Sequence, residues 1–295
     1  MPASVKLLAS YWTLAGGADP LGDQRCQHDF QLRVEAASRA GFTAMGLWHT
    51  DLAAILKRYS LQEMKRILDD NGITQIELEW LLDWFCTGER RAVSDQTRQM
   101  LLTAAEQLRA RHIKIGDMGN DCADIPSLSE EFATLCRQAS ERGTCVLFEM
   151  IPGAFSRVPS LEHALSIVRD AGEKNGGIML DILHLHRTGT PFEDIVRKIE
   201  RNIPMGVEIN DATHAMPMRL LDSIVNRRLL PGDGELDIAA FLHHVWTWGY
   251  EGPIGVEVMN EYIRKWPPDT AAGEAFTKGT QVVAAARASW NSVRS

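Results

Sequence analysis

Two rhythms of apolar residues alternate along this chain. Short unbroken runs, as at 145–148 and 205–207, are separated by longer stretches in which apolar positions return every third or fourth residue. An unbroken run is how a strand reads when helices cover both of its faces, and the wider spacing marks one face of a helix. Strands are predicted near residues 5–10, 44–48, 74–79, 112–115, 144–149, 177–181, 205–209 and 253–258. Helices are predicted near 31–40, 61–70, 94–111, 129–141, 161–171, 192–201, 238–246 and 271–290. The clearest is 94–111, where Met100, Leu101, Ala104, Ala105 and Leu108 recur at helical spacing. Gly41, Gly72, Gly143, Gly172 and Gly249 follow helix ends, as C-terminal caps do. Eight successive strand–helix units predict a parallel sheet closed on itself, an α/β fold of the (β/α)8 TIM barrel type, with residues 1–295 as one domain. Residues 210–237 and 184–189 read as loops, and Pro267-Pro268 as the connection into the last helix.

Four of the strand-like runs end on a carboxylate, at Glu149, Asp181, Glu208 and Glu257. In a parallel barrel the C-terminal strand ends meet at one face, where barrel enzymes carry their chemistry. Acids gathered there repel one another unless a cation sits among them. Hard carboxylate oxygens without cysteine suit Mg2+ or Mn2+, not a structural zinc. Around one divalent ion, four ionised carboxylates still leave two negatives in excess. A second cation, a Glu that keeps its proton, or Lys114, Arg187, Arg227 or Arg228 would compensate them. Alternatively Glu208 is no ligand, and Asp211 or His214 reaches the site instead. His184 lies one turn beyond Asp181, placed to meet either the metal or a substrate hydroxyl. Trp12, Trp48 and Trp80 fall at the ends of early strands, where indole faces pack on a sugar ring or an aromatic substrate. His49 and Glu79 beside them are candidates for substrate contact, as are Lys114 and Arg228.

Composition narrows the function classes. With 45% hydrophobic and 24% charged residues the chain is expected to fold throughout. A net charge of −8 removes the basic field that a nucleic-acid partner needs. The five cysteines, Cys26, Cys86, Cys122, Cys136 and Cys145, show no C-x-x-C spacing and are odd in number. They argue against a disulfide framework and for a reducing, cytoplasmic setting. Lys6 to Trp12 reads as a first strand in preference to a signal peptide, and no apolar stretch is long enough to span a membrane. His243-His244 reads as an outer-helix pair, and Gly232-Asp233-Gly234 as a loop beside the pocket.

Phe148-Glu149-Met150, Asp181 with His184, the segment Val207-Glu208-Ile209-Asn210-Asp211-Ala212, residues 231–237 and Gly255-Val256-Glu257-Val258 together resemble the xylose isomerase-like TIM barrel superfamily. This is the sugar phosphate isomerase and epimerase group, which also holds ketose 3-epimerases, inosose dehydratases and abasic-site endonucleases. The resemblance implies that Glu149, Asp181 and Glu257 are metal ligands, that Glu149 and Glu257 are the acid/base pair, and that His184 binds substrate. The chain departs from the epimerase pattern where a metal-binding histidine is expected on the seventh strand and Glu208 stands. That leaves the all-carboxylate set Glu149, Asp181, Glu208 and Glu257, and points to Mg2+ or Mn2+.

The activity implied is a metal-dependent isomerase or epimerase of a small sugar or polyhydroxylated carbonyl compound, working by enolisation. The alternative is a metal-dependent lyase or dehydratase acting on a keto-sugar or an oxidised glycoside, which the loss of the histidine favours. Few strand-end histidines and an acidic balance speak against a nuclease, and four intact acids against a bare binding module. The expected partners are a carbohydrate-like small molecule and further copies of the chain in a homo-oligomer, with neither nucleic acid nor membrane.

Overall fold

The computed structural model describes residues 6–118, 125–153, 156–216 and 219–294. Val5 of the first predicted strand and Cys122 lie outside the described residues. The strands are β1 Leu7–Ala9, β2 Ala44–Trp48, β3 Gln75–Leu81, β4 His112–Ile115, β5 Cys145–Glu149, β6 Gly176–Asp181, β7 Met205–Ile209 and β8 Ile254–Val256. They pair in parallel in chain order, and β8 returns to β1 to close an eight-stranded barrel. Around it run α1 Phe30–Ala40, α2 His49–Ile55, α3 Leu61–Asp70, α4 Gly88–Leu108, α5 Ile125–Ser140, α6 Leu161–Ala171, α7 Ile182–Thr188, α8 Glu193–Lys198, α9 Leu220–Val225, α10 Ile238–Trp248 and α11 Pro268–Arg294.

The strands read as unbroken apolar runs, yet their side chains go alternately to two destinations, as the pleat requires. On β3, Ile76 and Leu78 join the core under the helices; on β4, Ile113 and Ile115 do; on β7, Val207 and Ile209. The residues between them turn inward: Glu77 and Glu79, His112 and Lys114, Glu208. The barrel interior is therefore charged, and glycines make room for it. A Cβ at Gly46 would stand 2.1 Å from Glu79 Oε1 and 2.7 Å from the Tyr11 backbone nitrogen. Pairing sets Asp181 beside Glu208 and Glu208 beside Gly255, so adjacent strands deliver acids at the same height.

Caps set several helix limits. Asp29, Ser60, Ser160 and Asp237 accept first-turn N–H groups, and Gly41, Gly172 and Gly249 close helices with φ of 111°, 67° and 96°. Helix α4 starts at Gly88, ahead of the predicted 94, because its first turns are polar and held by side-chain pairs. Arg90 pairs there with Asp83, and Arg91 with Asp95. The expected loop 184–189 is most of α7, and the loop 210–237 contains α9 and an antiparallel bridge from Asp211 to Leu229. Cys26, Cys136 and Cys145 are free thiols, whereas Cys86 is disulfide-bonded, so the odd cysteine count misled at that position. No described helix is long and apolar enough to cross a membrane.

Candidate active site

The C-terminal ends of β5 to β8 bring Glu149, Asp181, Glu208 and Glu257 together, with one carboxylate oxygen of each within 4.8 Å of the others. All four are buried, Glu208 completely. Lys114, from β4, reaches into this group. Its Nζ donates to Glu208 Oε1 at 2.7 Å and Glu257 Oε1 at 3.1 Å, and lies 3.2 Å from Glu79 Oε2 and 3.8 Å from Glu149 Oε2. Arg228 enters from the loop after α9. Its Nη1 donates to Asp181 Oδ2 at 2.5 Å and Glu257 Oε2 at 2.6 Å, and its Nη2 faces His184 Nε2 at 3.3 Å.

Asp181 also caps α7, accepting from the Leu183 and His184 N–H groups at 2.7 and 3.2 Å, and from Asn210 Nδ2 at 2.9 Å. The cap explains why a helix starts at once after β6: the same carboxylate that faces the site satisfies the first free N–H groups. His184 is thereby carried to one side of Glu149, with Nδ1 at 3.4 Å from Glu149 Oε1.

Five acids, Glu79, Glu149, Asp181, Glu208 and Glu257, face two cations, leaving three negatives if all were ionised. Burial divides them. It pushes Glu79 and Glu149 up to about 8, and together with the charge of Glu257 it pushes Glu208 well above the usual carboxylate range. At Glu257 burial is outweighed by Lys114 and Arg228, and at Asp181 by Arg228 and the His184 and Asn210 contacts, so both stay below that range. Burial takes His184 down to about 4, which keeps it neutral.

Glu208 Oε2 is buried and has no hydrogen-bond partner. An orphaned oxygen among four converging carboxylates is a donor set that fits a hard divalent cation. Lys114 and Arg228 are the compensating cations. Arg187 is not, because it binds Ser223 and the Thr213 and His214 carbonyls, and neither is Arg227, which pairs with Asp222 and Glu261 away from the acids. Asp211 does not replace Glu208, since its carboxylate accepts from the Ala212, Gly232 and Leu236 N–H groups and shapes its loop. His214 is exposed and stacks on His186.

A cavity opens above the acids. Lys114, Glu149, His184, Arg228 and Glu257 line one side, and Trp12, Trp48, Trp80, Ile151 and Val225 contribute apolar wall. Trp12 and Trp48 meet edge to face at 4.9 Å, and Trp48 leans on Trp80 at 5.9 Å. His49 and Glu79 do not line the cavity. His49 lies tilted against Trp48 at 5.3 Å with Nδ1 accepting from the Trp80 backbone N–H, and burial lowers it to about 4. Glu79 lies among the acids and accepts from the Tyr11 N–H at 3.0 Å.

Sequence reasoning missed Ser10, Glu77, His112 and Asn210. Ser10 donates to Glu257 at 3.1 Å, and the buried Glu77–His112 pair closes at 3.1 Å. Three of them could have been found, because Glu77, His112 and Asn210 stand two residues from Glu79, Lys114 and Glu208 and so share their face. His243 and His244 are on α10, away from the site, as expected; they bond the Ala286 and Ala240 carbonyls.

Among characterised proteins, the chain is 26% identical over 240 residues to a 3-dehydroshikimate dehydratase of Pseudomonas aeruginosa, covering 80% of this chain and 37% of the relative. The chain thus spans little more than a third of that relative's length. A xylose isomerase-like TIM barrel/4-hydroxyphenylpyruvate dioxygenase fusion protein has the same fold (TM-score 0.83, 21% identity, 99% of this chain and 45% of that one). So does the IolI protein, solved with a zinc atom bound (TM-score 0.79, 18% identity, 94% of this chain and 98% of that one). Residues 34–279 match the xylose isomerase-like TIM barrel family, and with its closed eight-stranded barrel and strand-end acids the chain belongs to that family.

Proposed function

We propose that the protein is a divalent-metal-dependent dehydratase that removes water from a small cyclic polyhydroxylated ketone such as 3-dehydroshikimate. One observation carries this reading: a cation-clamped Glu257 and a Glu149–His184 pair share a cavity with a wall of three indoles. A flat ring can lie on the indoles with its polar edge toward the acids. The name of the Pseudomonas relative supports the substrate class.

Glu149, Asp181, Glu208 and Glu257 would hold Mg2+ or Mn2+, whose charge would stabilise the oxygen of an enolate. Glu257 has a cation on each oxygen, Lys114 on Oε1 and Arg228 on Oε2, and so stands ionised as the base that takes a proton from the carbon next to the carbonyl. Arginine only donates, so His184 Nε2, facing Arg228, is the bare ring nitrogen and the proton sits on Nδ1 toward Glu149. The Glu149–His184 pair gives a proton to the departing hydroxyl, the carbon–oxygen bond breaks, and a carbon–carbon double bond forms as water leaves. The indoles keep bulk water from the carbanion-like intermediate.

The test is to incubate Mn2+-loaded protein with 3-dehydroshikimate and weigh the product by mass spectrometry. Loss of one water is expected, and E257Q should slow it by about 10²–10⁴-fold. A product of unchanged mass carrying solvent deuterium would replace dehydration by isomerisation or epimerisation, which the two flanking carboxyls Glu149 and Glu257 also allow. Neither water loss nor deuterium uptake would sink both readings.

A further inference from the structure

Lys114 and Glu208 form the shortest contact that Lys114 makes, 2.7 Å from Nζ to Oε1, and the other oxygen, Oε2, is buried without a partner. The space that Glu208 occupies depends on Gly255 beside it on β8, where a Cβ would come within 2.8 Å of Glu208 Cγ. Both side chains are sealed from solvent, at 1% and 0% exposure. A buried lysine bound so closely to one oxygen of an acid fixes that acid's rotamer and leaves its second oxygen to serve another centre.

We propose that Lys114 is a positioning residue for the metal centre: it anchors Glu208 through Oε1, leaves Oε2 for the ion, and cancels its charge. Glu208 then stands as an oxygen ligand whose charge the lysine largely meets, beside Glu149, Asp181 and Glu257. This explains how an additional acid can stand among the others without adding repulsion. Arg228 does not do this for Glu208, since its guanidinium is spent on Asp181 and Glu257. The inference rests on the reading that these carboxylates hold a divalent ion.

The test is calorimetric titration of Mn2+ into the metal-free protein, with thermal melts alongside. E208Q takes from Lys114 its nearest acid, leaving less negative charge around Nζ next to the ion, and should weaken Mn2+ binding by about 10–100-fold. Joining it to K114M removes both charges at once, and the double variant should recover at least about tenfold of that loss. If Lys114 served packing alone, the second substitution would add a defect and bind Mn2+ no better than E208Q. That result, or wild-type affinity in E208Q, overturns the proposal. Should E208Q alone fail to fold, the double variant is compared with wild type directly. Because K114M also takes a cation from Glu79 and Glu257, the melts first establish that the double variant is folded. Affinity within about tenfold of wild type then supports the proposal, and weaker binding overturns it. Wild-type protein that takes up no Mn2+ at all would remove the metal reading itself, and this inference with it.

Discussion

Arg228 shows how much one residue organises here. It is 1% exposed, bridges Asp181 to Glu257, donates from Nε to the Ile224 carbonyl at 2.7 Å, and faces His184 Nε2 at 3.3 Å. Removing one partner of a buried ionic network leaves the other charges unpaired, which costs about 3–5 kcal/mol. R228M should therefore lower the unfolding free energy of the metal-free protein by about that amount in urea melts. Saturating Mn2+ should restore part of it, because the ion replaces the lost positive charge. At this scale Glu149, Asp181, Glu208 and Glu257 could be read as a group from the chain alone, since each closes an apolar run. Which cations answer them could not. Lys114, Arg187, Arg227 and Arg228 look alike in the sequence, and Arg227 and Arg228 are neighbours. One of those two is folded inward onto the acids and the other outward onto Asp222 and Glu261.

Elements differ in how plainly they are written. The strands were legible because both faces are covered and the runs are continuously apolar. Short helices in the segments that follow strands were not, because α2, α7 and α9 have only 7, 7 and 6 residues. Too short to stand on their own propensity, they depend on tertiary contacts and, for α7, on the Asp181 cap. They matter for the cavity all the same: α7 carries His184, and the end of α9 supplies Val225 to the wall. The join after β4 has an equally local requirement. A Cβ at Gly116 would fall 1.9 Å from Trp80 Cζ2, so the glycine is what lets the indole lie against the chain. G116A should displace Trp80 and raise the KM of a turned-over substrate by about tenfold or more. Mn2+ affinity should stay within about threefold, since Trp80 donates nothing to the acids. Equal losses in both would show that the indole wall and the acids are not separable.

For the whole molecule, enclosing so many acids in a barrel makes stability depend on pH. Glu79 is held up to about 8 by burial, above its unfolded value. The folded protein therefore keeps a proton that the unfolded chain gives up. That contribution is fully present below the unfolded value near 4.3 and is lost as pH rises through about 8. His49 and His184, lowered to about 4 by burial, act in the opposite sense, and only below about 6.5. Between about 6.5 and 8 the raised carboxyls act alone, so the melting temperature of the metal-free protein should fall as pH rises across that window. E79Q, which mimics the protonated acid, should flatten the fall. An unchanged slope in E79Q would show that Glu79 is already ionised in the folded state.

What the chain determined by itself was the order and kind of its elements and the polarity of their ends. Strand length, apolar continuity and glycine caps are local properties, and eight repeats of one local unit admit little but a closed parallel barrel. Tertiary structure alone decided the pairing inside it. The partners of Glu257 lie at Lys114 and Arg228, 143 and 29 residues away. Closure turns Lys114 of β4 toward the axis that Glu257 faces, and the loop after α9 carries Arg228 in to meet them. Burial pushes Glu79, Glu149 and Glu208 toward their protonated forms, while the nearby cations outweigh it at Asp181 and Glu257 and leave them ionised. That division follows from where the two cations come to rest.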